Sequence, residues 1–457
     1  MKYIKTFVLI LLAGSIFGQS GNSLTVSLDE AVDLALKNNA TIKNAALDIK
    51  YAETQVDEIR AQGLPQINGN AGFTHNLEIA TQVLPDFISP SVYGVLFEEG
   101  VLPAKDIQIG TFPAQFGVPF SMQAAVGVNQ LLFDGTFFLG LKAASEFVNV
   151  SKLSISKDEI DVKEAVKKAY YMALISEENL GQLGQSLKNI EAMKKETEAL
   201  YEAGYAEKLD VDRIVLSVSN LEISINKLQN QAKLAKQLLL NAMGMDVNQT
   251  ISLTSKLPSL DENSKVLSTS FNPGNRIEYQ LLEQQERLTE LNIKRYKMGY
   301  VPSLYGNFNY GGNTFAGEDQ LSNLGDEWFP ISSYGVTLNV PIFDGLFKKA
   351  KTDQAKIDLE KISNSKEQLA LGMNLQISQA QTNYLNALKS IELQEKSKVL
   401  AESIYKTTQI KFKEGVGSSF EMITAESEVT SARTNYLNAL YELNVAQIDL
   451  EKALGTL

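Results

Sequence analysis

Hydrophobic and polar positions follow two periods along this chain, and each period keeps to its own stretches. Leu359, Ile362, Leu369, Met373, Ile377, Ala380, Tyr384, Leu388 and Ile391 recur at steps of three, four or seven, and Leu153, Ile160, Val166, Tyr170, Ala173 and Leu180 repeat that spacing earlier. Such steps draw one apolar stripe down an α-helix. All eleven prolines lie at or before Pro341, and none falls in 120–257 or after 341. An interior proline costs a helix about 3 kcal/mol, so these windows predict uninterrupted helices over 135–203 and 345–414. At about 1.5 Å per residue each is a rod of roughly 100 Å. Asp134 and Asp344 stand as N-caps, while Gly204 and Gly415 close the rods because glycine tolerates positive φ. A second helix follows each turn, over about 209–243 and 419–454, which makes two long helical hairpins. The hexapeptide Asn-Tyr-Leu-Asn-Ala-Leu occurs at 383–388 and again at 435–440, and its apolar spacing reads as packing between helices.

The second period is two. Ile67, Gly69, Ala71 and Phe73 alternate with Asn68, Asn70 and Gly72; Leu304, Gly306, Phe308 and Tyr310 alternate with Tyr305, Asn307 and Asn309. Val126 and Val128 flank Gly127, and Val336, Leu338, Val340 and Ile342 alternate with Thr337 and Asn339. These are strands with one apolar face and one face of Asn, Gly and Thr. Two environments produce that pattern. A soluble sheet covers a core with its apolar face, whereas a membrane barrel turns that face to lipid and lines its lumen with the polar one.

The chain is also written twice. Residues 65–73 (PQINGNAGF) answer to 302–310 (PSLYGNFNY), Phe133-Asp134-Gly135 to Phe343-Asp344-Gly345, and Tyr201-Glu202-Ala203-Gly204 to Phe412-Lys413-Glu414-Gly415. Copies of this length exceed any solenoid period, so this is an internal duplication. From Pro65 to Phe133 the first copy advances 68 residues, and from Pro302 to Phe343 the second advances 41. The 27 extra residues therefore lie in one connection, within 76–121, which holds Pro85, Pro90, Pro103, Pro113 and Pro119.

Residues 1–18 carry Lys2 and Lys5 ahead of an apolar run from Phe7 to Phe17, the layout of a secretory signal peptide and too short to span a bilayer. The chain has no cysteine, which excludes a lipid anchor on Cys and a disulfide framework and suits an exported protein of a Gram-negative envelope. Its net charge is -12, and without a basic block it offers nucleic acid no binding surface. No later segment reaches the 18 apolar residues of a membrane helix. If the chain spans a membrane, strands must do it.

Four strands of about ten residues cannot close a barrel, and an open edge in lipid leaves backbone N–H and C=O groups unpaired at several kcal/mol each. Copies must share one. Two chains give eight strands, an interior filled by side chains; three give twelve and leave a channel.

With the doubled strand, the FDG junction and the glycine turns in place, the chain resembles the TolC-type outer-membrane efflux family over essentially its whole mature length. Residues 27–39 (SLDEAVDLALKNN) look like that family's opening helix, LPQINGNAGF and VPSLYGNFNY like its first strand in each repeat, and VPIFDG at 340–345 like its strand-to-helix junction. The resemblance implies a fold that is mainly α with a small membrane β portion. Three copies would form a 12-stranded β-barrel continued by an α-helical barrel. After the signal peptide, 19–457 is then one duplicated channel domain, with repeats at about 27–245 and 275–457. Strands fall at about 64–75, 121–133, 301–312 and 333–343, helices at about 40–62, 135–243, 276–299 and 345–454, and an equatorial linker at about 246–275.

The same resemblance implies partners: a homotrimer in outer-membrane lipid, a periplasmic adaptor protein and an inner-membrane pump. It makes Ala203, Gly204 and Tyr205, with Gly415, Val416 and Gly417, the tips where the adaptor docks; by themselves these are helix-hairpin turns. Asp210 and Glu421 align with an acidic position at the tunnel mouth, where copies around a threefold axis would set cation selectivity; the alternative is an exposed helix carboxylate. Phe412, Gly417 and Thr424 depart from the family's pattern, so a hydrogen-bonded lock cannot be built from them and any acidic ring is single. Phe73, Tyr310 and Trp328, with Phe329 and Tyr334, form either an aromatic belt at the membrane interface or ordinary packing.

His75, the only histidine, has no clustered ligand beside it and reads as a loop residue. No Ser/His/Asp arrangement, phosphate loop or carboxylate pair offers catalysis a candidate, and no cofactor or metal is expected. The resulting expectation is a passive exit duct of a tripartite efflux or secretion system, exporting small molecules or polypeptides. A soluble periplasmic coiled-coil adaptor or scaffold is the alternative, and the two-faced strands distinguish them, because an adaptor has no use for an outward apolar sheet face.

Overall fold

The computed structural model describes residues 24–255 and 271–457; the signal segment 1–18 and part of the expected linker lie outside them. The chain is mainly helical with a small β portion, and it divides into two compact units. One comprises 24–52, 147–287 and 360–457, the other 53–146 and 288–359.

The first unit is helical around one short sheet. Strand β1, Leu24–Val26, pairs in parallel with β6, Ile251–Leu253. Helix α1, Leu28–Asn38, opens on a capping box: Glu30 N–H donates to Ser27 Oγ at 3.3 Å, and Ser27 N–H to Glu30 Oε2 at 2.8 Å. Asn39, extended in backbone, breaks the helix and starts α2, Ala40–Gln62, by accepting from Thr41 N–H at 2.8 Å. Its amide donates to Ala242 O at 2.9 Å, at the end of α5, Lys208–Ala242. Gly244 there has φ +69°, and a Cβ on it would lie 2.8 Å from the Asn38 and Asn39 backbone, so only glycine fits both demands.

The two long rods are α4, Gly135–Glu202, and α7, Phe347–Lys413; α8, Ser419–Leu454, completes the second hairpin. Their apolar stripes form the core. Tyr170 of α4 is fully buried beside Val166, Ala173, Leu239 and Met243. Its hydroxyl donates to Val26 O at 3.1 Å and accepts from Ser255 N–H at 3.1 Å, fixing the β1–β6 sheet to the helix. Tyr384 of α7 does the same apolar work against Leu440 and Leu443 of α8, so both copies of the repeated hexapeptide are packing residues. Burial of side chains this large contributes about 1.5–3 kcal/mol apiece.

The two repeats meet where α4 faces α8. Ser186 and Thr430 share a hydrogen bond at 2.9 Å, and Thr434 donates to Asn179 at 3.1 Å. Lys452 bridges Asp161 and Glu164 at 2.7 and 2.6 Å, and Lys168 holds Asp449 at 2.5 Å. Burial pushes the Asp161 and Glu164 carboxyls up, but hydrogen bonds from Lys157, Lys168 and Lys452 outweigh it and leave both below their ordinary values.

The second unit holds a four-stranded antiparallel sheet in the order β2-β5-β7-β8. These strands are Gln66–His75, Phe120–Phe133, Ser303–Ala316 and Phe329–Asn339. The first two lie close to the expected 64–75 and 121–133, and the third runs four residues past the expected 312 because Asn313 to Ala316 continue the pairing with Phe120 to Gln123. The last begins four residues earlier than 333 and ends at Asn339 rather than 343, because its partner β7 starts at Ser303, opposite Asn339. Alternation continues through Val340 and Ile342, but no neighbouring strand remains to pair with them.

Asp134 caps α4 by accepting from Thr136 N–H at 2.7 Å and Phe137 N–H at 3.2 Å. Asp344 accepts from Lys348 N–H at 3.1 Å. Between them the repeats differ: Gly345 and Leu346 both take positive φ, 65° and 67°, so α7 begins at Phe347 and not at 345. The long connection is not a plain loop. It holds β3, Thr81–Pro85, paired with β4, Thr111–Gln115, around helix α3, Ile88–Glu98.

Candidate functional site: a two-faced sheet and two hairpin tips

Residues opposite each other in an antiparallel ladder share a face, so the register sorts every side chain of the sheet. Ile67, Val128, Phe308 and Tyr334 form one row, and Gly69, Val126, Tyr310 and Ser332 the next. Met122, Ala124, Leu304, Val336 and Leu338 extend the same apolar face. It is open to solvent in a single chain, with Tyr334 90% and Val336 66% exposed. The other face carries Asn68, Asn70, Thr74, Gln123, Asn129, Asn307, Asn309, Ser333 and Thr337.

Two glycines serve that polar face. A Cβ on Gly127 would meet Asn309 Oδ1 at 2.9 Å, and one on Gly335 would meet Asn307 Oδ1 at 3.0 Å. The asparagine side chains lie across space that any larger residue would fill. Both outer strands, β2 and β8, have one neighbour only, so a row of backbone groups on each side of the sheet is unpaired.

Of the five aromatic residues singled out in the sequence, Phe73, Tyr310, Trp328 and Tyr334 lie on the apolar side, at staggered levels, whereas Phe329 lies on the other face. Phe73 is level with Met122 and Thr314, and it stacks on Phe120 at 6.2 Å between centroids. Tyr310 is level with Gly69, four residues farther along β2 and so about 13 Å away. Trp328 lies between them, its ring over Gly312. They make a graded band, and Phe315 with Phe329 adds a pair on the opposite face at 5.9 Å.

At the tips the two repeats use one turn. Gly204 has φ +82° and Gly415 +70°. Tyr205 N–H donates to Leu200 O at 2.8 Å and Val416 N–H to Lys411 O at 3.0 Å, the six-to-one bond that ends a helix on a left-handed residue. A Cβ on either glycine would meet nothing within 4 Å. Tyr205, Leu209, Val416 and Phe420 are large, apolar and exposed around these turns. Gly417 is different: a Cβ there would lie 3.0 Å from Phe412 N, which leaves any larger residue at this position no room without movement.

Asp210 and Glu421 both occupy helix starts. Asp210 Oδ2 accepts from Glu207 N–H at 3.3 Å, and its other oxygen accepts from Ser419 Oγ at 2.6 Å, tying the start of α5 to that of α8. Glu421 closes a capping box with Ser418, accepting from its N–H at 3.4 Å while Ser418 Oγ accepts from Glu421 N–H at 3.2 Å. Neither is idle. Thr424 donates to Phe420 O at 2.9 Å, within its own helix. Phe412 packs against Ile190, Met193, Ile214 and Met422, so an apolar cluster stands where a polar lock is missing.

Sequence reasoning passed over three of these features. The Ser418-to-Glu421 spacing is the S-x-x-E signature of a capping box and was there to be read. The Asp210–Ser419 bond joins residues 209 apart and carries no local signal. Glu426, 2% exposed, is also silent in the sequence; it accepts from Asn189 at 3.5 Å, and burial together with this carboxylate raises the neighbouring Tyr405 hydroxyl well above its ordinary value.

Among the described residues no group of three or more His, Cys, Asp or Glu could hold a metal ion, and no helix is long and apolar enough to cross a membrane. The family profile described as outer membrane efflux protein matches residues 31–245 and 283–456, well over half of the chain and once in each repeat. The chain belongs to that family. It is 20% identical over 436 residues to outer membrane protein TolC of Vibrio cholerae, spanning 94% of this chain and 91% of that protein. Its fold is similar to that of CusC, at TM-score 0.70 and 16% identity over 96% of this chain and 95% of the other. A membrane protein from Pseudomonas aeruginosa matches at TM-score 0.69 and 18% identity, covering 93% of both chains. The chain is a TolC-type outer-membrane efflux channel protein.

Proposed function

We propose that three copies of this chain close one 12-stranded barrel and act as the passive exit duct of a tripartite efflux or secretion system. The observation that carries this reading is the four-stranded sheet with an apolar face, an Asn-lined face and two unpaired edges. Copies joined β8 to β2 satisfy every edge, and three of them enclose a lumen lined by Asn68, Asn70, Asn307 and Asn309. Energy and substrate choice then belong to an inner-membrane pump, reached through a periplasmic adaptor. A wide, polar, water-filled lumen passes small molecules or polypeptides without a binding site of its own. Phe73, Trp328 and Tyr310 fit the interfacial end of the lipid-facing band.

The exposed apolar residues around the two glycine turns, Tyr205 and Leu209 on one and Val416 and Phe420 on the other, suit the adaptor. Glu421 sits in the first turn of α8 beside these tips and is the residue we assign to an acidic ring. In planar bilayers the purified protein should conduct, and Glu421→Gln should lower its cation preference and weaken block by multivalent cations. Glutamine still completes a capping box, so folding should be unchanged. Unaltered selectivity would place Glu421 outside the lumen, and failure of the wild-type protein to conduct would refute the duct.

On this reading the β3–α3–β4 connection faces the cell exterior, where barrels carry their longer loops. An epitope inserted beside Glu99, which follows α3, should be labelled on intact cells. Labelling only after the outer membrane is permeabilised would reverse the assigned orientation.

A further inference from the structure

The duplication copies the fold of the strand-to-helix junctions but not their charge. Helix α6, Ile277–Met298, leads into β7 as α2 leads into β2, and β8 leads into α7 as β5 leads into α4. Asp57 and Glu58 stand eight and seven residues before Pro65, where Lys294 and Arg295 stand before Pro302. Phe138, Leu139 and Leu141 follow Phe133 at the spacings by which Lys348, Lys349 and Lys351 follow Phe343. The stretches 57–64 and 130–142 therefore hold two cations, Arg60 and Lys142, against three acids, whereas 294–301 and 340–352 hold six cations against Asp344 alone. In a chain of net charge -12 this is a local reversal of sign.

The structure brings the two stretches of the second repeat together at one end of the sheet. The stem of Lys348 lies against Gly299, and its ammonium stands 5.3 Å from the centre of the Tyr300 ring and 3.3 Å from Asp344, so the start of α7 packs on the end of α6. Arg295 lies over Tyr296 at 5.4 Å, and Lys351 over Phe347 at 5.8 Å. Lys294, Lys297 and Lys349 are exposed and have no ion pair among the described residues. Beside them the apolar alternation of β8 runs on, and Ile342 and Phe343 are 93% and 80% exposed. The first repeat closes its junction with hydrocarbon instead: Phe137 lies on Gly63, and Phe138 packs edge-on against Phe137 at 5.3 Å.

Charge and position name the occupant. Lys and Arg clustered at the end of a membrane-spanning segment, with aromatic rings among them, match anionic headgroups at the bilayer interface. Long cationic side chains lay their stems along apolar surface there and keep the charge at the phosphate level. We infer that the second-repeat junction binds the headgroup phosphate of an anionic phospholipid in the periplasmic leaflet. Lys294, Lys297 and Lys349 are the cations left to meet the phosphate, and Ile342 and Phe343 adjoin its acyl chains. This rests on the duct reading, which sends the rods into the periplasm and so sets the passage from β8 to α7 at that leaflet. Around a shared barrel, basic junctions then alternate with apolar ones.

Native mass spectrometry of the full-length assembly in detergent, with phosphatidylglycerol and phosphatidylcholine of the same acyl chains supplied in equal amounts, tests the site. The wild-type assembly should retain phosphatidylglycerol preferentially. Each cation near an anionic headgroup contributes roughly fivefold in affinity, so Lys294→Gln, Lys297→Gln and Lys349→Gln combined should bring the two lipids near parity. The copy number should not change, because none of the three has an ion pair to lose. Arg60→Gln, at the apolar junction, should leave the preference as it is. Three copies that retain both lipids equally, or a preference unmoved by the triple variant, would overturn the site and leave the duct standing. Displacement of the lipid by inorganic phosphate would do the same by assigning the cations to a free anion. A single-copy mass would remove the duct and the inference with it.

Discussion

Arginine at Val336 should abolish insertion into the outer membrane, and arginine at Thr337, one residue along the same strand, should be tolerated. The two differ only in face. Val336 pairs with Gly306 on the apolar side, and Thr337 pairs with Tyr305 on the side that carries the asparagines. A cation on the lipid face of a membrane strand costs about 2–4 kcal/mol near the midplane, and a shared barrel repeats that cost in every copy. Against a net stability of about 5–15 kcal/mol for a typical folded domain, three such charges are decisive. On the lumen face the guanidinium stays hydrated, and its effect should be confined to ion selectivity. Sedimentation of the membrane fraction and heat resistance of the assembly read both outcomes. Equal behaviour of the two variants would mean that the sheet is not lined and clad as described.

Gly415→Trp should eliminate export while leaving the assembly and its membrane insertion intact. The turn is open, and a Cβ on Gly415 would have nothing within 4 Å, so an indole meets no steric obstacle from its own chain. It does meet conformational cost, since φ +70° disfavours a residue with a Cβ by about 1–2 kcal/mol. That is small beside the packing of α7 on α8. The loss would then come from the docking surface between Val416 and Phe420. Gly415→Asn provides the control, because asparagine tolerates the left-handed conformation and adds little bulk, so export should persist. Normal transport by Gly415→Trp would show that the adaptor does not use this tip.

Much of this was legible in the sequence, for reasons that are physical. Helices leave a long record: absence of proline over more than a hundred residues and a stripe repeated through many turns marked the rods α4 and α7, and α8 follows its glycine turn at 419–454 as expected. The two sheet faces were also readable, because alternation of Asn with Val, Phe and Tyr survives whatever the register. What alternation cannot record is where a neighbour ends, and β8 stops at Asn339 because β7 offers nothing beyond Ser303.

The β3–α3–β4 connection was hidden by its prolines. The three within its elements occupy positions that structure permits: Pro85 ends β3, Pro90 lies in the first turn of α3, and Pro113 stands on a strand with one free edge. At the tips, the glycines announced themselves through their turn chemistry. The contacts that join the hairpins did not, because Asp210 with Ser419, and Ile214 with Met422, come together only when the two repeats fold against each other.

The central claim is that four strands per chain are completed by copies of the same chain. Mass measured on the purified protein in detergent, by light scattering or native mass spectrometry, tests it most directly. With a chain mass of 50.3 kDa, the account predicts three copies and about 150 kDa of protein, less the cleaved signal segments. A monodisperse single chain, soluble without detergent, would contradict it.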